Sequence, residues 1–342
     1  TFLPSQVDLD VRHPAARAYL EGILWTMRRA GVRTVRLDAV GYAVKTAGTD
    51  SFMTPDTLAF VAEITALAHR VGLEVLVEVH AHHSHQQRIA ELVDLVYDFA
   101  LPPLLLHSVG TGTLDRLVRW LEIRPRNAVT VLDTHDGIGV IDAGPADDLP
   151  GLLDGEEMAA VFRRAEEATG GVSAEASQPV AWATLPHQVN STFYSVLGQD
   201  DETYVAARAV QLFLPGVPQV YYVGLLAGSN DVERWRRTDV GREINRHGYT
   251  PEEIATALRR DVVRAQLALV RLRAEHPAFD GEHSAHRRSE RELVLAWRAG
   301  EHHAELVLSV TAGSARVAVS WSTPAGTRTA VSVPELAGGI EG

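Results

Sequence analysis

Short runs of aliphatic and β-branched residues alternate along this chain with longer amphipathic stretches, and that alternation is the feature that most constrains its fold. His13 to Ala30 reads as a helix stopped by Gly31, and Val32 to Val40 (VRTVRLDAV) as a buried strand. Thr54 to Val71 has helical periodicity, with Thr54 and Pro55 as an N-cap and N1 pair and Gly72 as a stop. Glu74 to Val79, Leu95 to Phe99, Ala128 to Asp133 and Val217 to Val223 read as further strands. Leu104 to Ile123, broken near Gly110 and Gly112, and Asp261 to His276 read as helices. Strand–helix alternation implies a parallel sheet with right-handed crossovers. The fold class expected is therefore α/β, a (β/α)8 TIM-type barrel. An open doubly wound sheet is the structural alternative, weakened because no Gly-rich dinucleotide fingerprint follows an early strand.

Two regions break the rhythm. Residues 137–186 are acidic and rich in Gly, Ala and Glu, with helical character from Glu156 to Ala168, and read as an inserted subdomain. Residues 282–342 change to short alternating runs and read as a C-terminal antiparallel β-domain. Residues 1–136 and 187–281 are then the two barrel parts, the first carrying acidic strand ends. About five barrel strands are legible where closure needs eight, so the barrel is expected to be partial, its N-terminal strands lying upstream of Thr1.

Three strand ends carry acidic residues: Asp38 after Arg36, Glu78 before His80, and the run Asp133-Thr134-His135-Asp136. One such carboxylate alone reads as a salt-bridge partner or a helix cap. Three on separate strand ends of a barrel converge on one mouth, and like charges held close are costly unless chemistry uses them. Retaining glycosyl transfer is chemistry of that kind, with one carboxylate as nucleophile and another as acid/base. Arg36, two residues back on the same face of its strand, is placed to orient Asp38 and lower its pKa.

Other residues weigh against rival functions. The chain has no cysteine, which removes thiolate catalysis and disulfides. A net charge of −12 argues against nucleic acid and anionic membrane as partners. No signal peptide is visible and no apolar run reaches spanning length, so a cytoplasmic location is expected, and the sequon at Asn190 is read as chance. His80, His82, His83 and His85 read as a polar rim, His80 lining the cleft, rather than as a metal site. Gly110 to Thr113 lacks the Lys-Ser/Thr pair of a phosphate loop, and Trp120, Trp182, Trp235 and Trp297 read as packing.

Val35 to Thr49 (VRLDAVGYAVKTAGT), Glu74 to His80 (EVLVEVH) and Val129 to Asp142 (VTVLDTHDGIGVID) together resemble the sucrose phosphorylase branch of glycoside hydrolase family thirteen. Tyr97 to His107, Gln188 to Thr192, Phe213 to Gly224 and Gly241 to His247 extend the resemblance, which runs from about residue 7 to residue 300. The resemblance implies Asp38 as nucleophile, Glu78 as general acid/base and Asp136 as transition-state stabiliser. It implies substrate-binding roles for Arg36, Tyr42, His80, His135, His187, Gln188 and Arg242, the last as a fork for phosphate. It further implies reversible phosphorolysis of sucrose, with inorganic phosphate as co-substrate and no other cofactor. Sucrose or a related α-glucoside and phosphate are then the partners, and a homodimer is compatible with them.

Two departures from the family pattern matter. The family's acceptor loop carries an Asp-x-Tyr-Gln pattern where this chain reads Leu185-Pro186-His187-Gln188. That change opens alternatives: sucrose 6′-phosphate, glucosylglycerol or glucosylglycerate as substrate, or an α-glucoside hydrolase or transglucosylase. The family's first strands also supply an Asp and a His to the glucose ring. The absence of those strands opens a further alternative, an inactive fragment that only binds sugar.

Overall fold

Pro14 and Pro55 each open a helix, where the N–H that proline lacks would have had no partner. The helices are α1 (Pro14–Arg29) and α2 (Pro55–Val71). His13 caps α1 by accepting from the Ala15 amide, and Thr54 caps α2 by accepting from Thr57. Gly72 ends α2 with φ 85°, the left-handed conformation that glycine adopts without strain. In the computed structural model, residues 5–146, 148–177 and 186–339 are described. By contacts the chain divides into two units, 1–98 with 125–129, and 99–124 with 130–342.

In the first unit β1 (Thr34–Leu37), β2 (Glu74–Val77), β3 (Leu95–Asp98) and β4 (Ala128–Thr130, of which Thr130 belongs to the second unit) are neighbours in that order. β1 and β2 are parallel, with Val35 opposite Val75, and so are β2 and β3, with Leu76 opposite Leu95. Asn127 fixes the start of β4: its side-chain amide donates to the carbonyls of Ala90, Val93 and Asp94. Ala90 is the last residue of α3 (His83–Ala90). Val35, Val75, Val77 and Val96 meet Phe60, Val61, Ile64 and Ala68 of α2 in one buried cluster. Burying each large aliphatic side chain of this kind contributes about 1.5–3 kcal/mol.

The second unit starts with α4 (Leu101–Thr111) and α5 (Asp115–Ile123). Gly112 separates them at φ 72°, and a side chain there would meet the Ala312 amide at 2.7 Å. β5 (Ile138–Gly139) pairs antiparallel with β6 (Gln188–Val189), Gly139 opposite Gln188. Between them lie α6 (Gly155–Ala168), closed by a capping box of Asp154 and Glu157, and α7 (Val172–Ala176). The segments α8 (Phe193–Val196), α9 (Asp201–Phe213), β7 (Val217–Pro218), α10 (Tyr222–Leu225), α11 (Val232–Thr238), α12 (Pro251–Ala257) and α13 (Asp261–Glu275) follow. The strand expected over Val217 to Val223 is shorter than its sequence suggests: Pro218 cannot donate to a ladder, and by Tyr222 the chain is helical. The Gln219 amide still donates to Thr130 O at 3.0 Å, continuing the pairing at the end of β4.

The last strands are β8 (Glu282–Ser289), β9 (Glu292–Ala299), β10 (His302–Thr311), β11 (Ser314–Thr323) and β12 (Gly326–Ala330), followed by α14 (Val333–Gly339). They form an antiparallel sheet in the order β12-β11-β10-β9-β8. Along β10, Ala304, Leu306, Leu308 and Val310 are buried and their neighbours are not, the period-two pattern of a sheet with one covered face. Trp297 on β9 anchors the sheet, its indole donating to Phe213 O at 2.7 Å. Trp182 lies outside the described residues. Among the described residues no helix is long and apolar enough to cross a membrane.

Candidate active site

The first unit holds Arg36, Asp38, Tyr42, Glu78 and His80. Arg36 leaves β1 on the face that Asp38 continues, and the two side chains form an ion pair. Asp38 is exposed, whereas Glu78 is 8% exposed. Ala39 connects them. It takes φ 44°, a left-handed conformation unusual for a residue with a Cβ, and in it the Ala39 amide donates to Glu78 Oε2 at 3.0 Å. Burial pulls the Arg36 guanidinium down, but Glu78, Asp38 and Tyr97 around it outweigh that and hold its pKa above the ordinary value. Arg36 is thus a fixed cation between two carboxylates.

His80 Nε2 lies 3.9 Å from Glu78 Oε1. Tyr42 closes a 3₁₀ turn (Val40–Tyr42) and stacks tilted on Phe52 with ring centres 4.7 Å apart. Burial, with Asp50 nearby, raises its phenol pKa. The histidine cluster is less of a rim than its sequence suggests. His82 and His83 are buried, and His82 Nδ1 accepts from the Ser84 amide at the start of α3. Capping is a demand that a sequence reader sees only once the helix start is known.

The second unit holds His135, Asp136, His187, Gln188 and Arg242. Asp133, three residues before Asp136, is drawn inward to Arg208, whose Nη2 lies 3.2 and 3.1 Å from its two oxygens. Arg208 is fully buried and also donates to Gln211, Gln266 and the Tyr204 hydroxyl. Burial pushes the Asp133 carboxyl up against the opposing pull of Arg208. Asp136 instead stays near the surface. Arg242 Nη1 donates to its Oδ1 at 2.5 Å, Arg246 Nη2 reaches the same oxygen at 3.4 Å, and His135 Nε2 lies 3.7 Å from its Oδ2.

The run 241–247 supplies most of this frame. Asn245 Nδ2 donates to the carbonyls of Asp136 and Thr134, at 2.7 and 3.2 Å. Arg246 Nε donates to His135 O at 2.6 Å, and its Nη1 to Glu243 Oε1 at 3.1 Å. Arg234 binds the other oxygen of Glu243 at 2.5 Å. That hydrogen bond, with Arg246, holds the Glu243 carboxyl below the usual range. The β5–β6 ladder brings Gln188 beside the chain that has just left Asp136, and the Val140 amide donates to His187 O. Leu185 lies outside the described residues. Sequence reasoning gave no site role to Arg246, Asn245, Asn190 or Ala39, although all four fall in runs that carry the resemblance. In GREINRH, which holds the first two, the density of hydrogen-bonding side chains is the signal that could have found them.

No protein-family profile matches the chain. It is similar to the sucrose phosphorylase of Agrobacterium vitis, at 47% identity over 94% of this chain and 66% of that protein. The crystal structure of sucrose 6F-phosphate phosphorylase from Thermoanaerobacter thermosaccharolyticum superposes with a TM-score of 0.83 at 36% identity, covering 94% of this chain and 64% of that one. The crystal structure of an α-amylase from H. orenii gives a TM-score of 0.60 at 14% identity over 90% of this chain and 57% of that one, a likeness of fold alone. The fold is thus the α-amylase-type barrel architecture, with a C-terminal antiparallel sheet. The chain spans a little under two thirds of the length of these relatives.

Proposed function

From its likeness to these phosphorylases we propose that the chain belongs to the sucrose phosphorylase family of α-amylase-type enzymes and catalyses reversible phosphorolysis of sucrose to α-glucose 1-phosphate and fructose. The observation that carries the reading is the pairing within the first unit. An exposed Asp38 is ion-paired to Arg36, and beside it a buried Glu78 is held by the Ala39 amide.

In this reading Asp38 attacks the anomeric carbon of the glucosyl group. The glycosidic bond breaks as Glu78 gives its proton to the departing fructose oxygen, leaving a β-linked glucosyl-enzyme and an ionised Glu78. A phosphate oxygen then attacks the same carbon from the face fructose left. The bond to Asp38 breaks, and any proton on the attacking oxygen passes to Glu78. Two inversions give retained α configuration. Arg36, ion-paired to the nucleophile, keeps it aimed. Asp136 opposes the positive charge that develops on the sugar, Tyr42, His80 and His135 contact the glucosyl group, and Arg242 receives phosphate.

His187 motivates a second reading, in which the acceptor bears a phosphate. It stands where the family pattern has Tyr, and an imidazole can donate to a phosphate oxygen. The test of the main reading is to give the full-length protein sucrose with and without phosphate and assay glucose 1-phosphate. Product is expected only with phosphate, and Asp38→Asn is expected to lower its rate at least about a thousandfold. Absence of glucose 1-phosphate from the wild type ends the reading. Faster turnover of sucrose 6′-phosphate than of sucrose favours the second.

A further inference from the structure

Asn190 is 8% exposed and three of its polar atoms are engaged. Its Nδ2 donates to Ala176 O at 2.8 Å, its backbone amide donates to Ser177 Oγ at 2.7 Å, and its Oδ1 accepts from Gln188 Nε2 at 2.9 Å. The carboxamide lies between two glycines, one beside each charged partner of the ion pair described above. A Cβ on Gly137, next to Asp136, would meet Asn190 Oδ1 at 2.6 Å and Gln188 Cδ at 2.8 Å. A Cβ on Gly241, next to Arg242, would meet Asn190 Nδ2 at 2.5 Å and Ala176 O at 2.2 Å. Neither glycine is needed for its backbone angles, so close approach is what each position requires.

The polarity of this chain of hydrogen bonds has one solution. A backbone carbonyl only accepts, so the amide nitrogen of Asn190 must face Ala176 and its oxygen must face Gln188. Gln188 must then turn its own nitrogen toward Asn190. Its Oε1 lies at the opposite edge of the carboxamide and, among the described residues, accepts no hydrogen bond. Resting on the function proposed above and on the resemblance that puts Gln188 in the family's acceptor loop, we infer that Asn190 is a positioning residue that fixes Gln188 with its carbonyl oxygen toward the acceptor. An oxygen in that place accepts from a carbohydrate hydroxyl and repels the oxygens of phosphate. Phosphate is left to Arg242, whose guanidinium donates only. One subsite thereby distinguishes its two alternating ligands by hydrogen-bond polarity.

Two measurements on the full-length protein test this. The first reads orientation without turnover: solvent exchange of the Gln188 side-chain amide protons by NMR on protein labelled with ¹⁵N-glutamine, the signal assigned by its loss in Gln188→Met. Exchange is expected to be at least about tenfold faster in Asn190→Ala than in wild type. Equal rates overturn the inference, whether or not the wild type makes glucose 1-phosphate. The second is steady-state kinetics in both directions. Asn190→Ala is expected to raise KM for fructose about tenfold, with KM for phosphate within about twofold. A tenfold change corresponds to about 1.4 kcal/mol. Equal rises for both ligands would mean that Asn190 only supports the loop, and would sink the specificity role. Asn190→Asp keeps an oxygen facing Gln188 while losing the donor to Ala176. It is expected to lower the melting temperature yet keep KM for fructose within about threefold of wild type. If that variant does not fold, exchange and kinetics of Asn190→Ala still decide. Loss of glucose 1-phosphate in the wild type, with protected Gln188 protons, would refute the activity and leave the orientation standing.

Discussion

Asp136 accepts hydrogen bonds from two arginines that differ in what else they hold. Arg242 is about half exposed, and among the described residues its one hydrogen-bond partner is Asp136, so an incoming anion can compete for it. Arg246 is tied at both ends, to the His135 carbonyl and to Glu243, and Glu243 is tied in turn to Arg234. Arg246 therefore sets where Asp136 sits, while Arg242 is available for exchange. Arg246→Ala removes one weak contact to the carboxylate and two bonds that brace the loop. Charge-assisted hydrogen bonds contribute about 1.5–3 kcal/mol each, less at this partial exposure. A fall in kcat/KM of about ten- to a hundredfold is expected, with Arg246→Lys intermediate because lysine cannot reproduce the fork. An unchanged kcat/KM in Arg246→Ala would show that Asp136 is held without it. Spacing did not reveal the distinction. Arg242 and Arg246 are four apart, yet Gly241–Asn245 is a 3₁₀ turn, so a reading based on helical faces gives them no common target. Asp133 was equally opaque. As a strand-end acid it resembled Asp136, and only the fold shows that Arg208 of α9 claims it.

At the scale of elements, α6 is seated on α4 by a small polar seam. Arg116 donates to Glu157 Oε1 at 2.9 Å, and His107 Nε2 lies 3.8 Å from the same oxygen. Glu157 also closes the capping box of α6. His107 is 3% exposed, and its Nδ1 has no hydrogen-bond partner among the described residues. Burial holds its pKa below the ordinary value despite the pull of Glu157, with Arg116 and Arg164 adding to the depression. The folded state thus binds this proton less readily than the unfolded state. Above about pH 6.5 both forms are neutral and the group has no effect. Stability is lost as pH falls from there toward the folded-state value. Protection of the α6 amides, taken relative to their intrinsic exchange at each pH, is expected to fall between pH 7 and pH 5.5 in wild type, and much less in His107→Phe. Identical pH dependence in the two proteins would mean that His107 does not titrate in this seam. Elements with one wet face were legible from sequence, as α2 and β10 illustrate. α9 was not: every residue from Thr203 to Phe213 is buried, including Arg208 and Gln211, so no polar stripe marks its period.

For the molecule as a whole, two buried clusters share no residue. One joins Val35, Val75, Val77 and Val96 to α2, and the other runs from Leu101 through α9 and α13 to the C-terminal sheet. The sequence signalled the rhythm of both but not their division, because 125–129 return to the first unit after α4 and α5 have begun the second. Hydrophobic periodicity says which face of an element is covered, and not by which neighbour. Each core is therefore open to its own perturbation. Val77 and Leu104 are fully buried, and truncating side chains of this size to alanine costs about 1–3 kcal/mol for Val and about 2–5 kcal/mol for Leu. Tryptophan separates the readouts, since Trp25 is the only one in the first unit, whereas Trp120, Trp235, Trp297 and Trp321 lie in the second. In urea, Val77→Ala is expected to lower the midpoint followed at Trp25 in a protein whose other tryptophans are replaced by phenylalanine. Leu104→Ala is expected to lower the midpoint followed at Trp297. If either substitution shifts both probes equally, the two clusters unfold as one cooperative structure, and the separation of cores is geometric without being thermodynamic.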